Sequence, residues 1–289
     1  MATGSDKFPT MHPVKGFQLG TASAGIKTAG RQDLVLLEMA EGSTVAGVFT
    51  QNRFCAAPVI VAKRHLQAMV PRYMLINTGN ANAGTGEQGV ADALKCCRGV
   101  ADAVNAEPKQ ILPFSTGVIG EPLPVDRLLS AIPSAIDNLS EQGWAEAAKG
   151  ILTTDTRPKG ASLKFDVNDT QVTITGISKG SGMIKPNMAT MLGFIATDAA
   201  VNDELLHRAV RLATEKSFNR ITVDSDTSTN DSVMLVATGT SGVEIDENTF
   251  EQFLAQLTEV FSALAQAIIR DGEGANKFVS VVVESALDT

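Results

Sequence analysis

Apolar residues in the first part of this chain fall in short runs broken by Gly, Asn and Pro. LVLLEM from Leu34, TVAGVF from Thr44, PVIVAK from Pro58 and YMLIN at 73–77 all read as strands. A helical pattern follows at 90–104, then ILPFS as a further strand, and helices at 125–138 and 143–150. Pro133 should break or kink the first of these two helices, because proline removes a donor and clashes with the preceding turn. SLKFDV and QVTITGIS alternate as the two arms of a hairpin should, and Met191, Leu192, Phe194 and Ile195 read as a buried strand opening at Thr190. Asn202, followed by Asp203 and Glu204, is placed to cap a helix, since an Asn oxygen and acidic residues both suit a helix N-terminus. Phe250, Phe253, Leu254, Leu257, Phe261, Leu264 and Ile268 form a helical stripe of the kind that packs on a core, and KFVSVVVES then reads as a last strand. Strands and helices mixed in this order indicate an α/β fold.

Composition narrows the function classes. With 289 residues, 44% apolar and 19% charged, the chain is long enough for a sizeable core. A net charge of -8, with no cluster of Lys and Arg, argues against a nucleic-acid surface and fits a protein acting on small molecules. The first residues carry neither a signal-peptide core nor an Arg-rich amphipathic leader, and nowhere do eighteen apolar residues run together, so a cytoplasmic protein is expected, without a membrane partner. Cys55, Cys96 and Cys97 lack C-x-x-C spacing and read as buried thiols. His12, His65 and His207 show neither metal-ligand spacing nor the neighbours of a catalytic triad. Asp224 and Asp226 begin a calcium-loop spacing, but Thr229 and Leu235 stand where that loop needs Gly and Glu. Gly84, Gly86 and Gly89 form a G-x-G-x-x-G, yet residues 78–83 separate them from the strand a dinucleotide fingerprint would follow directly. No cofactor is expected.

The chemistry concentrates at 179–200, KGSGMIKPNMATMLGFIATDAA. Gly180 and Gly182 allow unusual backbone angles, Pro186 stiffens the turn, and Thr190 then stands at the edge of a strand. A threonine hydroxyl so placed could attack the Ala189 carbonyl and convert the Ala189–Thr190 amide to an ester that water cleaves. The new N-terminal Thr190 would carry its own base, an α-amine of pKa about 7.7–8.0. A glycine-rich turn before an ordinary core strand would explain the same residues.

The string KGSGMIKPNMATML closely resembles the self-cleavage site of the ornithine acetyltransferase family, the glutamate N-acetyltransferases of arginine biosynthesis. The resemblance continues in NTGNANAGTG at 77–86, STGVIGEPLP at 115–124, LTTDTRPK at 152–159, DTSTND at 226–231 and RDGEGANKF at 270–278. It implies layered sheets flanked by helices, an αββα-type sandwich like that of N-terminal-nucleophile enzymes. It implies cleavage at Ala189–Thr190 into an α chain, 1–189, and a β chain, 190–289, which associate as a heterotetramer. It places the nucleophile at Thr190, the oxyanion hole at Thr116 and Gly117, and substrate contacts at Thr153, Lys179, Thr190 and Glu273. The implied substrates are N-acetylornithine and glutamate, with acetyl-CoA as a further possible donor. The family also continues through a C-terminal segment supplying an Asn and a Thr, for which this sequence offers no counterpart. Two rival readings are a self-processing aminopeptidase with water as acceptor, and a non-catalytic scaffold that never cleaves.

Overall fold

The computed structural model describes residues 3, 7–185 and 191–285. In chain order these form β1 (Phe17–Ala22), β2 (Leu34–Met39), β3 (Thr44–Phe49), α1 (Ala57–Ala68), β4 (Tyr73–Asn80), α2 (Gly86–Val104), β5 (Ile111–Val118), α3 (Val125–Asp137) and α4 (Trp144–Gly150). There follow β6 (Lys159–Val167), β7 (Thr170–Lys179), β8 (Leu192–Thr197), β9 (Ala200–Val201), α5 (Asp203–Lys216), β10 (Ser232–Ala237), β11 (Glu244–Ile245) and α6 (Phe250–Arg270).

Strand alternation explains the layers. In a strand successive side chains point to opposite faces, so a run apolar at every position must be covered on both sides. Val35, Leu37, Met74, Ile76, Leu112 and Phe114 face inward from a sheet of order β1-β2-β4-β5. They meet Ile177, Leu192, Phe194, Ala196, Met234 and Val236 from a second sheet of order β3-β10-β8-β7-β6. The alternate residues turn outward: Leu34, Leu36, Leu75 and Ile111 pack with α2 and α3, and Val172, Ile174, Ile195, Val233 and Leu235 with α5 and α6. The result is an αββα sandwich, as the resemblance implied. Two pairs are parallel, β4 with β5 and β8 with β10, and the other pairs within these two sheets are antiparallel.

Trp144 closes one end of the inter-sheet core, stacked on Phe17 with ring centroids 5.2 Å apart. Its indole N–H finds no acceptor among the described residues, a cost of about 1–3 kcal/mol. Burying the roughly 150–250 Å2 of such a ring is worth more, about 4–6 kcal/mol at about 25 cal/mol per Å2.

The hairpin of β6 and β7 forms as expected, turning on Asn168 and Asp169, both in the left-handed region that a tight primed turn requires. Asn202 caps α5 through its Oδ1, which accepts from the Leu205 amide at 2.9 Å. Four expectations change. PVIVAK belongs to α1: Pro58 sits in the first turn, where a missing N–H costs nothing, and Pro58, Val61, Ala62 and His65 share the buried face. α3 runs unbroken through Pro133 because its inner face, Leu128, Ala131, Ile132 and Ala135, is held in the core. KFVSVVVES is no strand: Val279, Val281, Val282 and Val283 are exposed, and no neighbour among the described residues supplies the ladder bonds a strand needs. Cys96 and Cys97 are buried, but Cys55 is only half-buried.

Candidate active site

Parallel β4 and β5 run side by side until the register slips between Gly79 and Asn80. Here the backbones come unusually close. A Cβ on Gly117 would lie 2.3 Å from the Gly79 carbonyl carbon, and Gly117 itself has φ +138°, a conformation that side chains oppose. Thr116 and Gly117 therefore lie within β5 and not in a turn after it. Asn230 pins this end of the strand, donating through Nδ2 to the Ala81 carbonyl at 2.7 Å and the Ser115 carbonyl at 2.9 Å.

Lys179 ends β7 and is buried. Its Nζ donates to Thr116 Oγ1 at 3.2 Å and to Thr153 Oγ1 at 2.8 Å, and stands 3.9 Å from Asp155 Oδ2. Burial pushes the Lys179 pKa down, against the pull of Asp155. Asp155 is more heavily engaged: Oδ1 accepts from the Gly180 amide and from Lys159 Nζ, each at 2.6 Å, and Oδ2 from the Thr153 amide at 3.1 Å. Burial alone would raise its pKa, but Lys179, Lys159 and these hydrogen bonds outweigh it and hold the carboxyl at about 2. Lys159 turns equally to Asp271, at 2.6 Å, which also accepts from the Thr156 amide and hydroxyl.

The glycine-rich loop is tied down along its described length. Thr154 and Ser181 share a hydroxyl hydrogen bond of 2.8 Å, the Ser181 carbonyl accepts from the Glu273 amide at 2.7 Å, and Asp224 accepts from the Met183 and Ile184 amides. Gly182 is where the Glu273 carboxylate passes: a Cβ there would meet its carbon at 2.7 Å. Ala189 and Thr190, the expected cleavage site and nucleophile, lie outside the described residues. At Met191, which follows Thr190 in the chain, the backbone N–H donates to Asp231 Oδ1 at 2.7 Å.

One cavity of about 610 Å3 collects Thr116, Gly117, Thr153, Lys179 and Glu273 in its walls, together with Asn230. A recess of about 10 Å3, the size of about one water, adjoins it and is lined by Thr116, Lys179, Met191 and Asp231. Hydroxyl and ammonium donors and a carboxylate thus share its walls. No histidine lines the cavity: the His65 ring bonds the Ile111 carbonyl in the core, and His207 is exposed beside Asp203. Among the described residues no group of three or more His, Cys, Asp or Glu side chains could hold a metal. Burial raises the thiol pKa of all three cysteines, that of Cys96 to about 12. Sequence reasoning missed Asp155, Lys159, Asp271, Asn230 and Asp231 as parts of this site. Each stands in or next to a quoted motif, but its role depends on partners far along the chain.

Comparison with known proteins gives this arrangement a context. A model of the ArgJ family matches residues 18–289. The arginine biosynthesis bifunctional protein ArgJ of Pseudomonas fluorescens is 57% identical over 287 residues, spanning 98% of this chain and 71% of that protein. Among solved structures, ornithine acetyltransferase of Mycobacterium tuberculosis, complexed with ornithine, superposes with a TM-score of 0.57 at 35% identity, covering 62% of this chain and 93% of that one. An L-aminopeptidase D-Ala-esterase/amidase of Ochrobactrum anthropi, a variant of the Ntn hydrolase fold, gives a TM-score of 0.52 at 10% identity and covers 90% of this chain and 86% of that one. At that identity the likeness is of fold alone.

Proposed function

The chain belongs to the ArgJ family, and from that premise we propose that it is an acetyltransferase of arginine biosynthesis that moves acetyl from N-acetylornithine to glutamate. The observation that carries the reading is the single cavity that gathers Thr116, Gly117, Thr153, Lys179 and Glu273, residues contributed by segments far apart in sequence. The Thr190 hydroxyl first attacks the Ala189 carbonyl, the amide becomes an ester, and water cleaves it, leaving a carboxylate on Ala189 and an α-amine on Thr190. That amine then takes the proton of its own hydroxyl as the oxygen attacks the acetyl carbonyl of N-acetylornithine. Negative charge appears on the carbonyl oxygen only in the tetrahedral state, where the Thr116 hydroxyl and the Gly117 amide stabilise it. Collapse returns the proton to the departing amine, releases ornithine and leaves acetyl-threonine. The glutamate amine attacks this ester and restores Thr190, completing a ping-pong cycle.

Lys179 and Glu273 present opposite charges to the carboxylate and ammonium of the amino-acid substrates, and Thr153 adds a hydrogen bond. Acetyl-CoA would enter the same cycle as donor, with a thiol as leaving group. The pieces 1–189 and 190–289 stay together as a heterotetramer in the cytoplasm. The aminopeptidase alternative draws on likeness of fold and adds no residue of its own.

Intact-mass spectrometry with an ornithine-release assay tests this reading. Wild-type protein should give two fragments that sum, apart from one water, to the uncut mass, and should release ornithine from N-acetylornithine in the presence of glutamate. Thr190→Ala should remain whole and inactive. Folded wild-type protein that stays uncut, or that hydrolyses the acetyl group without passing it to glutamate, would overturn the assignment.

A further inference from the structure

Asp155 lies behind the cavity wall, outside its lining, with a side chain that is fully buried. It grips both segments that carry the proposed substrate contacts, the 153–155 loop through the Thr153 amide and the end of β7 through the Gly180 amide. The same carboxylate faces the Lys179 ammonium. A lysine ammonium has donors and no acceptor, so Thr116 Oγ1 and Thr153 Oγ1 must both accept from it. Each hydroxyl must then direct its own hydrogen elsewhere, and for Thr116 the open direction is the cavity that it lines. The orientation of an oxyanion donor is thereby set from behind, by the place of an ammonium on a flexible stem.

The brace continues to the opposite pole. Lys159 bridges Asp155 and Asp271 at 2.6 Å to each, and Asp271 precedes Glu273 by two residues in the loop that leaves α6. The Glu273 amide donates back to the carbonyl of Ser181, two residues after Lys179. Asp155, Lys159, Lys179 and Asp271 carry two positive and two negative charges, and Asp231 and Glu273 add negative charge toward Lys179.

We propose that Asp155, braced by Lys159 and Asp271, is the positioning residue of this site: it holds the Lys179 ammonium where the Thr116 hydroxyl must present its hydrogen to the reacting carbonyl oxygen, and it fixes the cationic pole relative to Glu273. The inference rests on the acetyl-transfer reading for its kinetic consequence and on geometry alone for its structural one.

Two variants separate positioning from the stability of the buried ion pairs. Asp155→Asn removes the anchor and takes the carboxylate away from two buried ammonium groups, so it should both destabilise the protein and lower kcat by about 10²-fold, the loss expected for one oxyanion donor. Asp155→Asn/Lys159→Met removes the Asp155–Lys159 pair as a unit and leaves Asp271 with its two Thr156 hydrogen bonds. Its melting temperature should lie above that of Asp155→Asn, yet kcat should stay about 10²-fold down with KM moving far less, and a crystal structure should show Lys179 Nζ withdrawn from Thr116. Wild-type kcat in the double variant, or Lys179 Nζ still bonded to Thr116 in its crystal structure, would overturn the proposal. A double variant that cannot fold would assign the network to the core and overturn it equally. Absence of acetyl transfer in wild-type protein would sink the functional reading instead, while the crystallographic comparison would still decide the positioning role.

Discussion

Gly117→Ala puts the proposed oxyanion hole under the most direct test. The added methyl would lie 2.3 Å from the Gly79 carbonyl carbon and 2.5 Å from the Asn80 nitrogen, both backbone atoms that cannot rotate away. Ordinary carbon contacts are about 3.5–4.0 Å, so the ends of β4 and β5 must part by about 1 Å. Overpacking of this kind costs about 1–3 kcal/mol, and holding an alanine near φ +138° adds about 1–3 kcal/mol. A total of about 2–6 kcal/mol corresponds, at about 2 °C per kcal/mol for a chain of this size, to a melting temperature lowered by about 4–12 °C. The same shift carries the Gly117 amide about 1 Å from its place, enough to lower kcat about 10²-fold. Gly120→Ala is the control. Its φ of +84° is also unfavourable, but no atom lies within 4 Å of the added methyl, so it should cost stability without the loss of kcat. Calorimetric melts and initial rates of ornithine release measure both quantities. A lowered melting temperature with unchanged kcat would keep the close strand approach and remove Gly117 from the oxyanion hole; no change in either would refute the packing argument itself.

Three further outcomes follow from the fold. The Asp155 carboxyl has a pKa depressed from 3.8 to about 2, so its contribution, about 2 kcal/mol, is present above the unfolded value and lost as pH falls from about 4 to about 2; denaturant titrations at several pH values should show that loss in wild-type protein and not in Asp155→Asn. Trp144→Ala should cost about 3–5 kcal/mol in the same titrations, because it empties the end of the inter-sheet core, and an unchanged midpoint would refute that packing role. The fragments 1–189 and 190–289, once separated covalently, should co-elute in native gel filtration and part only in denaturant; separation under native conditions would contradict the strand order.

The fold was legible where one residue's neighbours along the chain decide its state. Alternation in SLKFDV and QVTITGIS gave the hairpin, and Asn202 with its acidic followers gave the α5 start, since both signals are local. PVIVAK misled because a short β-branched run after proline fits a strand or a first helical turn equally well, and only the buried face shared with His65 decides. β1 was missed because Gly20 and the polar Gln18 and Thr21 dilute its pattern. Within the site, Thr116, Gly117, Thr153, Lys179 and Glu273 stood out through motifs. Lys159 did not: a lysine at a strand's first position reads as solvent-facing until α6 brings Asp271 against it. Asn230 similarly shows no purpose until β4 and β5 end beside it.

Strand order also explains why a break before β8 is compatible with an intact cavity. β8 and β10 lie after the proposed cut and pair with each other, but they fill the middle of the five-stranded sheet, with β3 on one side and β7 on the other, both from before it. Each flanking pair runs through six registered positions, and α6 packs across β6 and β7 from outside. Cleaving one peptide bond between β7 and β8 removes chain continuity and none of those ladder bonds. The cost of separating the pieces is therefore close to that of unfolding the domain, because each would expose the strand edges and the apolar face that the other covers. The cavity walls follow the same division: Thr116, Gly117, Thr153 and Lys179 come from before the cut, Glu273 and Asn230 from after it. Lys159 and Asp271 join across it as well. From after the cut, too, the Met191 amide is held on Asp231 at 2.7 Å, and both residues line the small recess that Thr116 and Lys179 wall from the other piece.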